Sequence, residues 1–202
     1  MKKILAIIAA LSLVTLTACG NSNVAATLGK TTISQNELQR TIDTILKERE
    51  GIDVSQMQLE SGASLNRSQL RFLIITNIFD QIAAELKLSV TKTEIATTRA
   101  NMIDQSGGET AFATNLVAAQ IASTNFDTYV RAILISDKIT NALMASGVAE
   151  ADVSAKLSEL VQAKTEQLQV EINPRYGTWD DAAGDIVAAD SAGDAIKVPA
   201  AQ

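Results

Sequence analysis

The sequence predicts a mainly α-helical protein, and three observations carry that expectation. Apolar residues recur at helical spacing over most of the chain. A capping residue followed three positions later by glutamate, the signature of a helix start, occurs at Ser34/Glu37 and again at Thr91/Glu94. Both prolines, Pro174 and Pro199, lie near the C-terminus, so the interior is free of the residue that breaks helices. About six helices are expected, with a small β-hairpin in front of them and a closing strand behind. Hydrophobic residues make up 47% of the 202 and aromatic residues only 3%, so the core has to be built from Ala, Leu, Ile and Val.

The first eighteen residues read as a signal peptide. Lys2 and Lys3 precede a mostly apolar run from Ile4 to Leu16, which is shorter than the roughly 20 residues a membrane-spanning helix needs. Leu16-Thr17-Ala18-Cys19 follows and resembles the lipobox of bacterial lipoproteins, in which lipid is attached to the cysteine sulfur and cleavage leaves that cysteine first. Cys19 is the only thiol and has no partner for a disulfide within the chain. Removal of residues 1–18 takes away Lys2 and Lys3 and deepens a net charge that is already -6. An acidic body of that kind repels nucleic acid and anionic headgroups, which leaves the acyl chains as the expected membrane tether and residues 19–23 as its leash.

Val24–Ile33, with Gly29-Lys30 at its centre, has the composition of two short strands and a tight turn. In the first helix start, Ser34 is placed at the N-cap and Glu37 at the third position, with Ile33 and Leu38 packing across the entry and Leu38, Ile42, Ile45 and Leu46 forming one stripe. Gly51–Ser64 is polar and aperiodic and reads as a loop. From about Asn66 to Leu86 one stripe carries Leu70, Leu73, Ile74 and Ile78, and a second carries Phe72, Ile75, Phe79, Ile82 and Leu86. A helix apolar on two sides needs cover on two sides, so this is the expected spine.

Thr91-Lys92-Thr93-Glu94 opens the next helix, and Ser106-Gly107-Gly108-Glu109 begins a short one. Phe126, Tyr129, Val130, Ile133 and Leu134 mark a helix that continues to about Ala145. Val153, Leu157, Leu160, Val161 and Leu168 mark the last, after a degraded start at Val148–Val153. Val170–Asn173 alternates as a short strand, and Pro174–Trp179 turns away from it. From Asp180 to Gln202 the chain is rich in Asp, Ala and Gly and is expected to be disordered.

In their order, these pieces resemble the N-terminal helical domain of the SurA and PrsA class of exported chaperones, itself akin to the chaperone arm of trigger factor. The resemblance rests on Val24–Leu28 with Gly29, Ile33–Leu38, the central helix, Leu88–Ile95, Gly107–Phe112, Phe126–Ile139 and Ile172–Gly177, and covers about residues 24–179. It implies a chaperone fold in which the strand Val170–Asn173 returns beside Val24–Leu28. Members of the class typically carry a parvulin prolyl-isomerase module after the helix corresponding to Val153–Leu168. Here only Gln169 separates that helix from the closing strand, and histidine, on which the parvulin pocket depends, is absent, so a chaperone domain without its isomerase is expected.

The inventory narrows the chemistry further. Without histidine there is no Ser-His-Asp triad, no Cys-His dyad and no histidine-ligated zinc or haem. Ser89-Val90-Thr91-Lys92 matches an S-x-x-K acyltransferase pattern without its companion elements and is better read as a helix start. Gly29-Lys30-Thr31 lacks the first glycine of a phosphate loop, and no calcium loop can be drawn around Asp180 and Asp181. No catalytic residue, metal site or cofactor is expected. Met57, Met102 and Met144 read as ordinary packing, and Tyr176 and Trp179 as a clamp for the domain's end.

Phe112, Phe126 and Tyr129 are the candidates for lining shallow client-binding grooves between helices. The expected activity is that of an extracytoplasmic, lipid-anchored holdase for unfolded exported polypeptides. The alternative is an adaptor lipoprotein that grips one envelope partner; the sequence does not distinguish the two.

Overall fold

The computed structural model describes residues 23–188; the signal peptide, the lipobox with Cys19, residues 20–22 of the leash and residues 189–202 of the tail lie outside them. Six α-helices and short antiparallel strands make up the described chain, in the order β1 (Val24–Leu28), β2 (Thr31–Ser34), α1 (Gln35–Arg49), α2 (Gly62–Glu85), α3 (Lys92–Gln105), α4 (Glu109–Ala118), α5 (Phe126–Ala145), α6 (Glu150–Leu168), β3 (Glu171–Ile172), β4 (Thr178–Asp180) and β5 (Asp185–Val187). Among the described residues, no helix is long and apolar enough to cross a membrane.

The local start signals act as the sequence requires. The Ser34 side chain accepts from the Glu37 N–H at 3.1 Å. Thr91 and Glu94 form a complete capping box, with the Thr91 N–H donating to the Glu94 carboxylate at 2.7 Å and the Glu94 N–H donating to the Thr91 hydroxyl at 3.1 Å. The degraded start before α6 has no side-chain cap. Lys92 of the S-x-x-K pattern is simply the first residue of α3.

The two ends of the domain close on each other. β1 lies between β2 and β3, both antiparallel to it. The Asn173 N–H donates to the Ala25 carbonyl at 2.8 Å, and its side-chain amide donates to the Val24 carbonyl at 3.2 Å. Gly29, at φ 59°, turns the hairpin and donates to the Leu168 carbonyl at 2.7 Å, so the last helix ends against the first turn.

α2 is the spine, packing against α1, α5, α6 and β1. Its first stripe, Leu70, Leu73, Ile74 and Ile78, is buried in the main core with Leu28, Leu38, Ile42, Ile45, Ile135 and Ile139. A second, smaller core joins α4 to the first half of α5 through Phe112, Leu116, Phe126 and Val130, with Ile95 and Met102 of α3 packed beside it. Phe112 and Phe126 meet edge to face at 4.8 Å between centroids. The arm formed by α3 and α4 hangs on this second core, since α3 has no fully buried residue.

Four expectations need correction. The helix expected from about Asn66 starts at Gly62, so Gly51–Ser64 is loop only in its first part. Leu46, expected in the buried stripe of α1, is 44% exposed because the stripe ends at Ile45. Phe112 and Phe126, expected to line an open groove, are instead the centre of the second core. The disorder expected from Asp180 fails for the residues described there: Thr178–Asp180 pairs with Asp185–Val187 in a second hairpin, held down by Trp179 and Ile186, which both enter the main core. Gly177, at φ 125°, makes that hairpin possible, because a Cβ there would lie 2.1 Å from the Val187 carbonyl oxygen.

Two outcomes follow from these contacts. Phe126→Ala empties the second core and is expected to cost about 3–5 kcal/mol in urea unfolding, the penalty of truncating a buried aromatic. Glu94 is held at a pKa of about 2 against an ordinary 4.5, first by the hydrogen bond from Lys138 and then by the Thr91 N–H and hydroxyl. A carboxylate depressed by folding stabilises the fold above its unfolded pKa and loses that contribution as the pH falls through its folded one. The gap in unfolding midpoint between the parent and Glu94→Gln is therefore expected to be full above pH 4.5 and to close on titration towards pH 2.

Candidate functional site

The second stripe of α2 decides where the surface is open. Phe72, Ile75 and Phe79 are only partly buried, because the main core takes the opposite side of the helix and α5 covers this one incompletely. Between α2 and α5 they line a groove of about 320 Å³ together with Ser68, Arg71 and Thr76 of α2 and Tyr129, Ala132, Ile133 and Ser136 of α5. The periodicity explains the wall: Ser68, Phe72, Ile75 and Phe79 follow one another at four-, three- and four-residue steps on α2, and Tyr129, Ile133 and Ser136 at four- and three-residue steps on α5.

Charged pairs tie the two groove helices to their neighbours. Arg131 of α5 donates to Asp80 of α2 at 2.6 Å and to the Val90 carbonyl at 3.3 Å, which ties the two helices and the entry to α3 together. Lys138 donates to Glu94 at 2.5 Å. On the other side, Arg71 donates to the Gly184 carbonyl at 2.8 Å and lies 3.4 Å from the Asp185 carboxylate, fastening the β4–β5 hairpin beside the groove. The α2–α5 groove is thus a strip of aromatic and aliphatic surface with hydroxyls and the Arg71 guanidinium at its edge.

A larger cleft of about 550 Å³ runs along α1 beside Thr124 and Asn125. Arg40 and Lys47 alternate there with Glu37 and Asp43, so neither sign of charge gathers a ligand of the other. Among the described residues, no group of three His, Cys, Asp or Glu side chains converges in a way that could hold a metal ion. Asp180 accepts from the Ala182 and Ala183 N–H groups, and Asp181 accepts from the Trp179 indole, so both serve the hairpin.

Of the three residues singled out for client contact, the structure brings only Tyr129 to an open groove. Phe72, Ile75, Phe79 and Ile133 were legible as apolar helix positions but not as a groove wall. The signal that could have found them was the second stripe of α2, taken to require full cover when α5 supplies only part of it. Met144, 41% exposed at the end of α5, is not part of this groove, and Met102 packs on the second core.

Comparison with known proteins agrees with this architecture. A family model described as SurA-like N-terminal domain matches residues 1–140, which takes in the β1–β2 hairpin, α2 and most of α5; α6 and the closing strand lie beyond the matched span. The trigger factor of Francisella tularensis subsp. mediasiatica (strain FSC147) is 28% identical over 145 residues, covering 66% of this chain. The chain spans about a third of that relative, 32% of its length. No solved structure matches the chain. With the family model covering well over half of its length, including the spine and one wall of the groove in full, the chain belongs to the SurA-like N-terminal domain family.

Proposed function

We propose that this protein is a chaperone of the holdase type, which shields unfolded exported polypeptides by receiving their apolar side chains in the α2–α5 groove. The observation that carries the reading is the groove itself, an apolar strip left open along the spine of a SurA-like N-terminal domain. Similarity to a trigger factor supports a chaperone-type role. The groove is open along its length and offers hydroxyls rather than reactive groups at its edge, which suits many different segments held briefly rather than one ligand held tightly. Binding needs neither nucleotide nor metal, and the short passage from α6 through Gln169 and Val170 to β3 is the basis for assigning no isomerase activity.

The same proposal places the protein outside the cytoplasm, tethered through lipid on Cys19 in the lipobox Leu16-Thr17-Ala18-Cys19. Two acyl chains suffice for stable anchoring, and the acidic body then stands away from the headgroups.

The mature chain with Cys19→Ser is expected to slow aggregation of an unfolded client at micromolar concentration. Phe79→Asp and Ile133→Asp should abolish that protection while leaving the helical circular dichroism intact. A protein that neither delays aggregation nor binds unfolded peptides refutes the holdase reading. Retention of one stoichiometric membrane protein in its place would assign a dedicated adaptor. For the anchor, cells fed a clickable palmitate analogue should label the parent and not Cys19→Ser, and a parent that stays unlabelled removes the tether.

A further inference from the structure

Of the described residues that line the α2–α5 groove, Arg71 alone is charged, and its side chain is half-exposed. The guanidinium is already positioned. Its Nε donates to the Gly184 carbonyl at 2.8 Å, which fixes the side chain against the β4–β5 hairpin, while its two terminal nitrogens donate to no group among the described residues. Asp185 lies 3.4 Å from Nε, but its near oxygen already accepts from the Ile186 N–H at 2.7 Å. A guanidinium carries more N–H donors than one carbonyl uses, and its terminal pair forms an edge that matches a carboxylate. Two other polar groups of the α2 wall are turned to their own helix: the Ser68 hydroxyl donates to the Leu65 carbonyl at 3.1 Å, and the Thr76 hydroxyl to the Phe72 carbonyl at 2.9 Å.

We infer that the groove prefers extended client segments in which an internal Asp or Glu stands two positions from an apolar residue, its carboxylate held by Arg71 and the apolar side chain laid over Ile75. Spacing supports this occupant. Arg71, Ile75 and Phe79 line the groove at successive four-residue steps of α2, about 6 Å apart along the helix. Alternate side chains of an extended chain stand about 6.6 Å apart on one face, so neighbours on that face meet neighbouring steps of the row. Charge points the same way. A carboxylate complements the one charged group of the wall, and because Gly184 holds the guanidinium in place, little side-chain freedom is lost when it binds. The groove is open along its length, which suits the side chain of a segment running through it.

This specificity rests on the groove being the client site. It runs against the charge of the whole chain, which is -6 and by its field alone would favour a neutral segment over an acidic one. Preference for the acidic segment therefore reports the local contact with Arg71. Exposed ion pairs are weak, so the preference is modest and shrinks as salt is added.

The test compares two unfolded model peptides that differ only in a Glu or a Gln two positions from a leucine, both acetylated and amidated so that no terminal charge remains. They are titrated onto the mature full chain with Cys19→Ser at physiological salt. The Glu peptide is expected to bind about two- to fivefold more tightly, the range of an exposed ion pair. Arg71→Gln, which keeps a donor for Gly184, should weaken the Glu peptide to the level of the Gln peptide and leave the latter unchanged. Asp185→Asn keeps the acceptor for the Ile186 N–H and removes the competing charge, so it should widen the preference. If Arg71→Gln weakens both peptides alike, Asp185→Asn decides: a wider preference upholds the inference and an unchanged one overturns it. Equal affinities for the parent, or a preference that survives Arg71→Gln, overturn the inference and leave the holdase standing. A chain that binds neither peptide refutes the client site, and the inference falls with it. A gain from a free C-terminal carboxylate with none from Glu assigns Arg71 to chain ends and overturns the internal contact.

Discussion

The structure depends on one constraint: α2 is apolar around too much of its circumference for a single partner to cover. Leu70, Leu73, Ile74 and Ile78 need a core on one side, and Phe72, Ile75 and Phe79 need cover on the other. The β-sheet, α1, α6 and the second half of α5 satisfy the first side. Among the described residues, only α5 and the edge of the β4–β5 hairpin reach the second. Protein interiors are close-packed, so a side chain with no partner on one face stays part of the surface. The groove is what remains when the spine has more apolar area than the fold has elements to lay against it.

That imbalance is stable because the rest of the domain is closed firmly around it. β3 pairs with β1 across almost the whole length of the described chain, and Arg175 donates to Gln35 at 2.9 Å beside the same junction. Lys164, with a side chain only 10% exposed, donates to Glu85 at 2.5 Å and fixes α6 to the end of α2. At the opposite flank Gln120 acts as a staple. Its side-chain oxygen accepts from the Glu60 N–H at 2.8 Å and from Arg49 at 2.9 Å, and its carbonyl accepts from Gln69 at 3.0 Å. These bonds draw the segment between α1 and α2 onto the connection between α4 and α5, and Arg49 completes the clasp by donating to the Glu60 carbonyl at 2.8 Å. Partly buried polar groups that bond to one another across elements in this way favour one packing arrangement over others.

What the sequence disclosed and what it concealed divide along the range of the interactions. The Ser34 and Thr91 caps, the Gly29 turn and the stripe of α2 in the main core are written within a few residues, and each stands where the local pattern puts it. The pairing of β3 with β1 became legible through the family resemblance, since two residues of strand carry little pattern of their own. The Gln120 staple was concealed because its partners lie 51 to 71 positions away and no local rule marks a glutamine for such a role. The second hairpin was hidden by composition: Asp180–Ala188 has the small and acidic residues of a disordered tail, and its order comes from Trp179 and Ile186 finding room in a distant core. Phe112 and Phe126 are ambiguous in sequence because aromatic side chains suit both a groove and a core, and only the proximity of α4 to α5 decides between them.

The dimensions of the groove set the kind of binding it can support. A strip of about 320 Å³ has room for two or three client side chains. Full burial of an aliphatic or aromatic side chain contributes about 1.5–3 kcal/mol, so the gross gain is of the same order as the roughly 4–15 kcal/mol that association costs in lost freedom. One groove alone therefore holds a segment weakly and releases it quickly. For the proposed holdase, with no nucleotide to drive release, weakness of this sort is a requirement, because a client bound much more tightly than its own core can pull would never fold. On the proposed holdase reading, the open walls and hydroxyl-lined rim of the α2–α5 groove keep each contact within that limit, and a client's own apolar side chains, once they find one another, end the interaction.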